Sequence, residues 1–152
     1  MKLIFSLSLC LGFAMSNKAQ SFKNAEESNY NFKQVQRLAA SPVESQGRTG
    51  TCWSFSALSF LESEIMRINK SDEPIILSEM FIVRKAYEEK AKKFIRMDGR
   101  TNFGEGGAFH DIPYVIRNFG IVPRSVYSGL KKKTDTYNHG GMFDRWDSIV
   151  QQ

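Results

Sequence analysis

Residues 41–64 read SPVESQGRTGTCWSFSALSFLESE, and they put a thiol where a glycine-containing loop meets an apolar helix. Glu44 to Thr51 is rich in small and polar residues and reads as a loop. A helix is expected from about Cys52 to Ile68. Leu58, Leu61, Ile65 and Ile68 recur at helical spacing and define one face, while Trp53, Phe55 and Phe60 widen the apolar surface of the first half. A helix apolar around most of its girth is buried. Cys52 then sits at the positive end of a helix dipole, which favours the thiolate, the nucleophilic form. Its backbone N–H, at the helix start, can donate to an oxyanion. The amide of Gln46, six residues upstream, can be a second donor if the loop folds back. Gly47 and Gly50 permit the tight turn, and Gly50 lets a substrate approach the backbone closely. The bland alternative is an inert buried cysteine, a common fate for a free thiol.

The N-terminus bears on where that thiol works. Met1-Lys2 gives a short positive start, Leu3 to Met15 is almost unbroken apolar sequence, and Ser16, Asn17, Lys18 and Ala19 follow. That is the layout of a secretory signal peptide over residues 1–19, cleaved after Ala19 or after Ser16. The alternatives are a membrane anchor or a buried segment, but the run is shorter than the roughly 20 residues that span a bilayer. Leu9 precedes Cys10 where lipoprotein signals carry a small residue, which argues against lipidation. With the signal removed, Cys52 is the remaining one of the 2 cysteines, so an exported protein would carry a lone thiol and no internal disulfide. Its stability must then come from an apolar core, which a chain of 152 residues can build.

Residues 20–40 read as a polar leader with scattered aromatics, with room for a short helix near its end before Ser41-Pro42. After the first helix, Asn69 to Pro74 forms a break. Ser78 is placed to cap a second helix that runs to about Ile95, with Glu79 in its first turn. Its later half is charged. Glu88–Lys92 and Glu89–Lys93 are i,i+4 pairs there, and the reading is a solvated face without chemistry. Met97 to Gly107 is a loop with glycines. A third helix follows, with Phe109, Ile112, Ile116 and Phe119 on one face. Pro113 must lie in its first turn, with Asp111 capping, or else kink it. Leu130 to Gly141 is a basic, polar loop, and Met142 to Gln152 can begin another helix. The net charge of +5 is partly local, in Lys131-Lys132-Lys133, and reads as a solvated basic surface. No nucleic-acid motif is present. The fold class is mainly α.

Several segments agree in order and spacing with one family. Pro42-Val43, Gln46-Gly47, Gly50 and Cys52-Trp53-Ser54-Phe55-Ser56 resemble the active-site segment of papain-like cysteine peptidases. Leu77-Ser78-Glu79, Gly106-Gly107 and Phe119-Gly120-Ile121-Val122-Pro123 continue the resemblance, which covers about Ser41 to Tyr127. It implies that Cys52 is the nucleophile and that Gln46 completes the oxyanion hole. It also implies that Gly50, Trp53 and the Gly106-Gly107 backbone line the peptide substrate. No cofactor or metal is implied. Residues 41–130 would be the helical left-hand domain of an α+β fold whose sheet-rich second domain is missing. Residues 131–152 would begin a family-specific insertion or be a truncated end. Thr49 stands where secreted relatives carry a disulfide-bonded cysteine, so the resemblance is strongest to the bleomycin hydrolase and aminopeptidase C group. Members of that group are typically intracellular hexameric aminopeptidases, which implies a homo-oligomer and conflicts with an exported chain.

The family's base is a histidine oriented by an asparagine, both from the second domain. This sequence offers only His110 and His139, and neither lies in a sheet pattern. Both read more simply as surface or cleft-lining residues. The expectation is therefore an exported cysteine peptidase, of aminopeptidase type, present without its base and inactive alone. The competing readings are a non-catalytic peptide-binding domain and an inert globular domain.

Overall fold

Tyr87, Leu58, Ile82, Ile112 and Val115 are the large apolar side chains fully shut off from solvent, and they come from three different helices. The structure, a computed structural model, describes residues 29–150 apart from Asn31 and Lys133. The expected signal peptide, the start of the leader and the last two residues lie outside the described residues. Two units are distinguished, Met1–Arg37 and Leu38–Gln152. In the first, the described residues form no helix or strand, and the rings of Tyr30 and Phe32 stack with centroids 6.3 Å apart. The short helix allowed near the end of the leader is absent from residues 32–40.

The second unit contains α1 (Cys52–Asn69), α2 (Glu79–Arg96), α3 (Asp111–Phe119) and α4 (Met142–Val150). Among the described residues, extended pairing is limited to two isolated bridges, Arg48 with Asn138 and Leu77 with Pro123. No described helix is long and apolar enough to cross a membrane. The mainly helical expectation therefore holds. Helix α2 is the centre of the packing and contacts α1, α3 and α4. Fully burying a side chain such as Leu58 or Ile82 contributes about 1.5–3 kcal/mol, so this seam supplies much of the driving force.

Local chemistry sets the helix ends. Thr51 receives the N–H groups of Ser54 (2.9 Å) and Phe55 (3.3 Å) on its carbonyl, which opens α1 at Cys52. The hydroxyl of Ser78 accepts the Phe81 N–H at 3.1 Å, the expected cap of α2, and donates to the Tyr127 carbonyl at 2.5 Å. Pro113 lies in the first turn of α3, where its missing N–H costs nothing. Asp111 opens that helix, and its carboxylate accepts the Ala108 N–H at 2.8 Å.

Three expectations about faces need correction. On α1, Leu58 and Met66 are buried and Leu61 and Ile65 partly so, but Phe60 and Ile68 are 54% and 67% exposed. The exposed side of the helix carries Ser56 and Arg67 as well as Phe60 and Ile68, and the described elements cover only the other side. On α3, Ile112 and Val115 form the buried seam, while Phe109 and Phe119 are exposed. Phe109 precedes the first helical turn, so helical spacing does not orient it. On α2, the ion pairs are Arg84–Glu88, Lys85–Glu88 and Glu89–Lys92, in place of the two i,i+4 pairs read from the sequence. These are solvent-facing and contribute little.

A buried charge fixes the entry to α2. The Glu79 side chain is 6% exposed and binds Arg124, which also reaches Glu44. The segments on either side pair through Ser78 N–H to Val122 (2.9 Å) and Arg124 N–H to Ile76 (3.0 Å). Burial pushes the Glu79 carboxyl up, against the pull of Arg124. Arg124→Met should therefore destabilise the chain by about 3–5 kcal/mol, because it strands a buried carboxylate. Adding Glu79→Gln should recover a large part of that loss. Urea denaturation of the two variants checks both outcomes.

Candidate active site

The turn before α1 is held by a reciprocal pair of hydrogen bonds. The Gln46 amide donates to the Thr49 carbonyl at 2.5 Å, and the Thr49 hydroxyl donates to the Gln46 carbonyl at 2.8 Å. The Thr49 and Thr51 hydroxyls are 2.5 Å apart, and Thr51 is fully buried. Gly47 has φ +61°, and a Cβ there would lie 2.3 Å from the Tyr137 carbonyl oxygen. Only glycine satisfies both demands. The Tyr137 carbonyl accepts the Arg48 N–H at 2.8 Å, and the Arg48 carbonyl accepts the His139 N–H at 3.1 Å. The loop read as basic and polar thus props the turn from outside, and its Tyr137, with Met142, Phe143 and Trp146 beyond it, packs on the core.

Cys52 is exposed, while the next three residues, Trp53, Ser54 and Phe55, are buried. The thiol is therefore accessible, and the inert buried alternative is excluded. As the first residue of α1, Cys52 has no intrahelical acceptor for its N–H. Gln46 uses one amide hydrogen on Thr49, and a primary amide has a second. Gly50 lies against Glu105, whose carboxylate accepts the Gly50 N–H. Trp53 is 8% exposed, and its Nε1–H donates to the Glu105 carbonyl at 3.2 Å. A Cβ on Gly107 would lie 2.4 Å from the Trp53 ring, whereas one on Gly106 would meet nothing within 4 Å. Trp53 therefore stands under the glycine loop as its support, and the open backbone beside it is that of Gly106.

Two contributions escaped the sequence reading. Glu105 joins the turn, α1 and, through the Tyr87 hydroxyl at 2.8 Å, α2. Lys90, assigned there to a solvated face without chemistry, sends its ammonium to the carbonyls of Gly104 and Gly106. Its partial burial holds its pKa below the usual lysine value. The position of Glu105 directly before two glycines was the available signal, and Lys90 had none, because a lysine in a charged helix carries no mark of its partner.

The histidines lie elsewhere. The His110 side chain is 83% exposed, with Nε2 3.6 Å from Asp111. His139 packs edge-on to Tyr87, with centroids 6.1 Å apart, and its Nδ1 is buried 3.8 Å from the Glu105 carboxylate. Neither imidazole hydrogen-bonds Cys52. Among the described residues, no group of three or more His, Cys, Asp or Glu could hold a metal ion.

The site thus presents an exposed cysteine that opens α1, beside a glycine loop tied back to that helix. Residues 27–140 match the papain family cysteine protease, so the chain belongs to that family, whose members are cysteine peptidases. It is similar to the oryzain beta chain of Oryza sativa subsp. japonica, with 35% identity over 92 residues. That match covers 59% of this chain, which spans only 17% of the length of that relative.

Burial holds the His139 pKa below its ordinary 6.5, against a smaller opposing effect of Glu105. The folded state thus keeps this imidazole neutral while the unfolded chain protonates. Its contribution to stability is present above pH 6.5 and is lost as pH falls from there through the folded value. Thermal unfolding should show a drop in midpoint between pH 7 and 5 that is smaller in His139→Phe.

Proposed function

We propose that this chain carries the nucleophilic half of a peptidase site, with Cys52 as nucleophile and Gln46 and the Cys52 N–H as oxyanion donors. The Cys52 sulfur attacks the scissile carbonyl, the oxyanion collapses to a thioester as the amine leaves with a proton, and water releases the acid. The Gly106–Gly107 backbone holds the substrate as an extended peptide, while the space left by Gly50 is taken by Glu105. The observation that carries this reading is the exposure of Cys52 at the first position of α1, with its neighbours buried. The aminopeptidase type, as in the bleomycin hydrolase group, draws support from Thr49. Its hydroxyl closes the turn where disulfide-bearing relatives have a cysteine.

Proton transfer needs an imidazole at the thiol, and neither histidine hydrogen-bonds Cys52: His110 is exposed and His139 is packed against Tyr87. The purified 152-residue chain should therefore show no steady hydrolysis of fluorogenic peptides. Turnover abolished by Cys52→Ala would overturn the inactivity but keep the nucleophile. In a protein that also supplies the histidine, Gln46→Ala should lower kcat by about 10²–10³-fold. An unchanged kcat there would remove Gln46 from the site. A peptide-binding role without catalysis is the second reading, favoured by the same placement of the histidines. It predicts peptide binding that Cys52→Ala leaves intact and no covalent labelling by peptidyl electrophiles.

A further inference from the structure

The residue that ties the turn to the glycine loop is Glu105, and it makes that tie with two different groups. Its carboxylate accepts the N–H of Gly50, two residues before the nucleophile. Its carbonyl accepts the Trp53 indole N–H at 3.2 Å and the Tyr87 hydroxyl at 2.8 Å. The next two residues are Gly106 and Gly107, so whatever fixes Glu105 fixes the start of the open backbone. The Glu105 side chain lies so close that it requires glycine at position 50: a Cβ there would lie 2.8 Å from the Glu105 Cβ. The remaining titratable groups facing Glu105 are His139, 3.8 Å away from the loop before α4, and Lys90 of α2, which binds the carbonyls flanking Glu105.

We propose that Glu105 is a positioning residue, a carboxylate staple that sets the Gly106–Gly107 backbone in register with Cys52. Its effect on the reaction rests on Cys52 acting as the nucleophile. The chemistry it governs is the docking of an extended peptide, because peptide carbonyl and N–H groups must meet backbone held at fixed distance from the sulfur. Misplacing such a surface by about 1 Å can cost on the order of 10²-fold in rate. The thiol itself is held by α1 and is independent of the staple.

Two measurements on the full 152-residue chain test this. The first compares Cys52 alkylation by iodoacetamide, which reads the thiol, with alkylation by a peptidyl chloromethyl ketone, which reads thiol and docking together. Glu105→Ala should lower the peptidyl rate about tenfold, the worth of one charge-assisted hydrogen bond, with iodoacetamide within about twofold of the parent. Glu105→Gln keeps an oxygen acceptor for the Gly50 N–H and should retain most of the peptidyl rate. A peptidyl rate unchanged in Glu105→Ala, or lost equally in Glu105→Gln, overturns the staple. The second measurement is hydrogen exchange of the Gly50 amide, which does not depend on the thiol's role. It should accelerate at least about tenfold in Glu105→Ala and stay near the parent rate in Glu105→Gln. Unchanged exchange in Glu105→Ala also overturns the staple. A parent chain with no preference for the peptidyl reagent, but with a Gly50 amide that responds to Glu105, keeps the staple and sinks the peptidase reading instead.

Discussion

The burial of Trp53 beside the exposure of Cys52 is the constraint from which the site follows. With Trp53, Ser54 and Phe55 all buried, α1 is fixed about its axis, and the face left to solvent carries Cys52 and Ser56. The indole is fixed from several sides. Its N–H binds the Glu105 carbonyl, Gly107 lies against its face, and the Lys90 ammonium stands 6.0 Å from its centre. One side chain therefore helps orient α1, and with it Cys52, and carries the loop beside it. A rigid helix holding the thiol, with a second layer holding the helix, fixes the position of Cys52 closely.

The core and the site share their supports. Tyr87 is nearly fully buried at the centre of α2 and packs against Phe143 and Trp146 of α4, while its hydroxyl reaches the Glu105 carbonyl. Burial and the nearby Glu105 carboxylate both raise the pKa of that hydroxyl, so it stays a donor at any working pH. The Tyr137–His139 stretch joins the turn at Arg48 and brings α4 onto the same core. A change far from Cys52 in sequence can thus reach it through few intermediaries.

Much of this was legible in the residues. The three-residue run Trp53-Ser54-Phe55 after a cysteine, the cap at Ser78, the proline at the third position of α3 and the apolar period of α1 and α2 each follow local rules. The family was legible as a resemblance carried by Gln46-Gly47, Gly50, Cys52-Trp53 and the glycine pair, and the match over residues 27–140 shows it. Which face of a helix is covered was not legible. Phe60, Ile68 and Phe109 fit the apolar pattern and are exposed, because periodicity reports which residues could be buried while burial depends on neighbours that arrive from elsewhere in the chain. The i,i+4 charge pairs failed for a similar reason, since flexible side chains choose among several partners of nearly equal energy.

The sequence by itself determined the helices and their ends, and put Cys52 at the start of α1, because these depend on interactions within a few residues. Tertiary structure alone decided that Cys52 faces outward, that Lys90 and Glu105 serve the glycine loop, and that His139 packs against Tyr87. Those outcomes rest on contacts between residues distant in sequence, such as Gly50 with Glu105 and Arg48 with Tyr137. No local pattern encodes such contacts, because the free energy that selects them arises only once α1, α2 and the loops have packed.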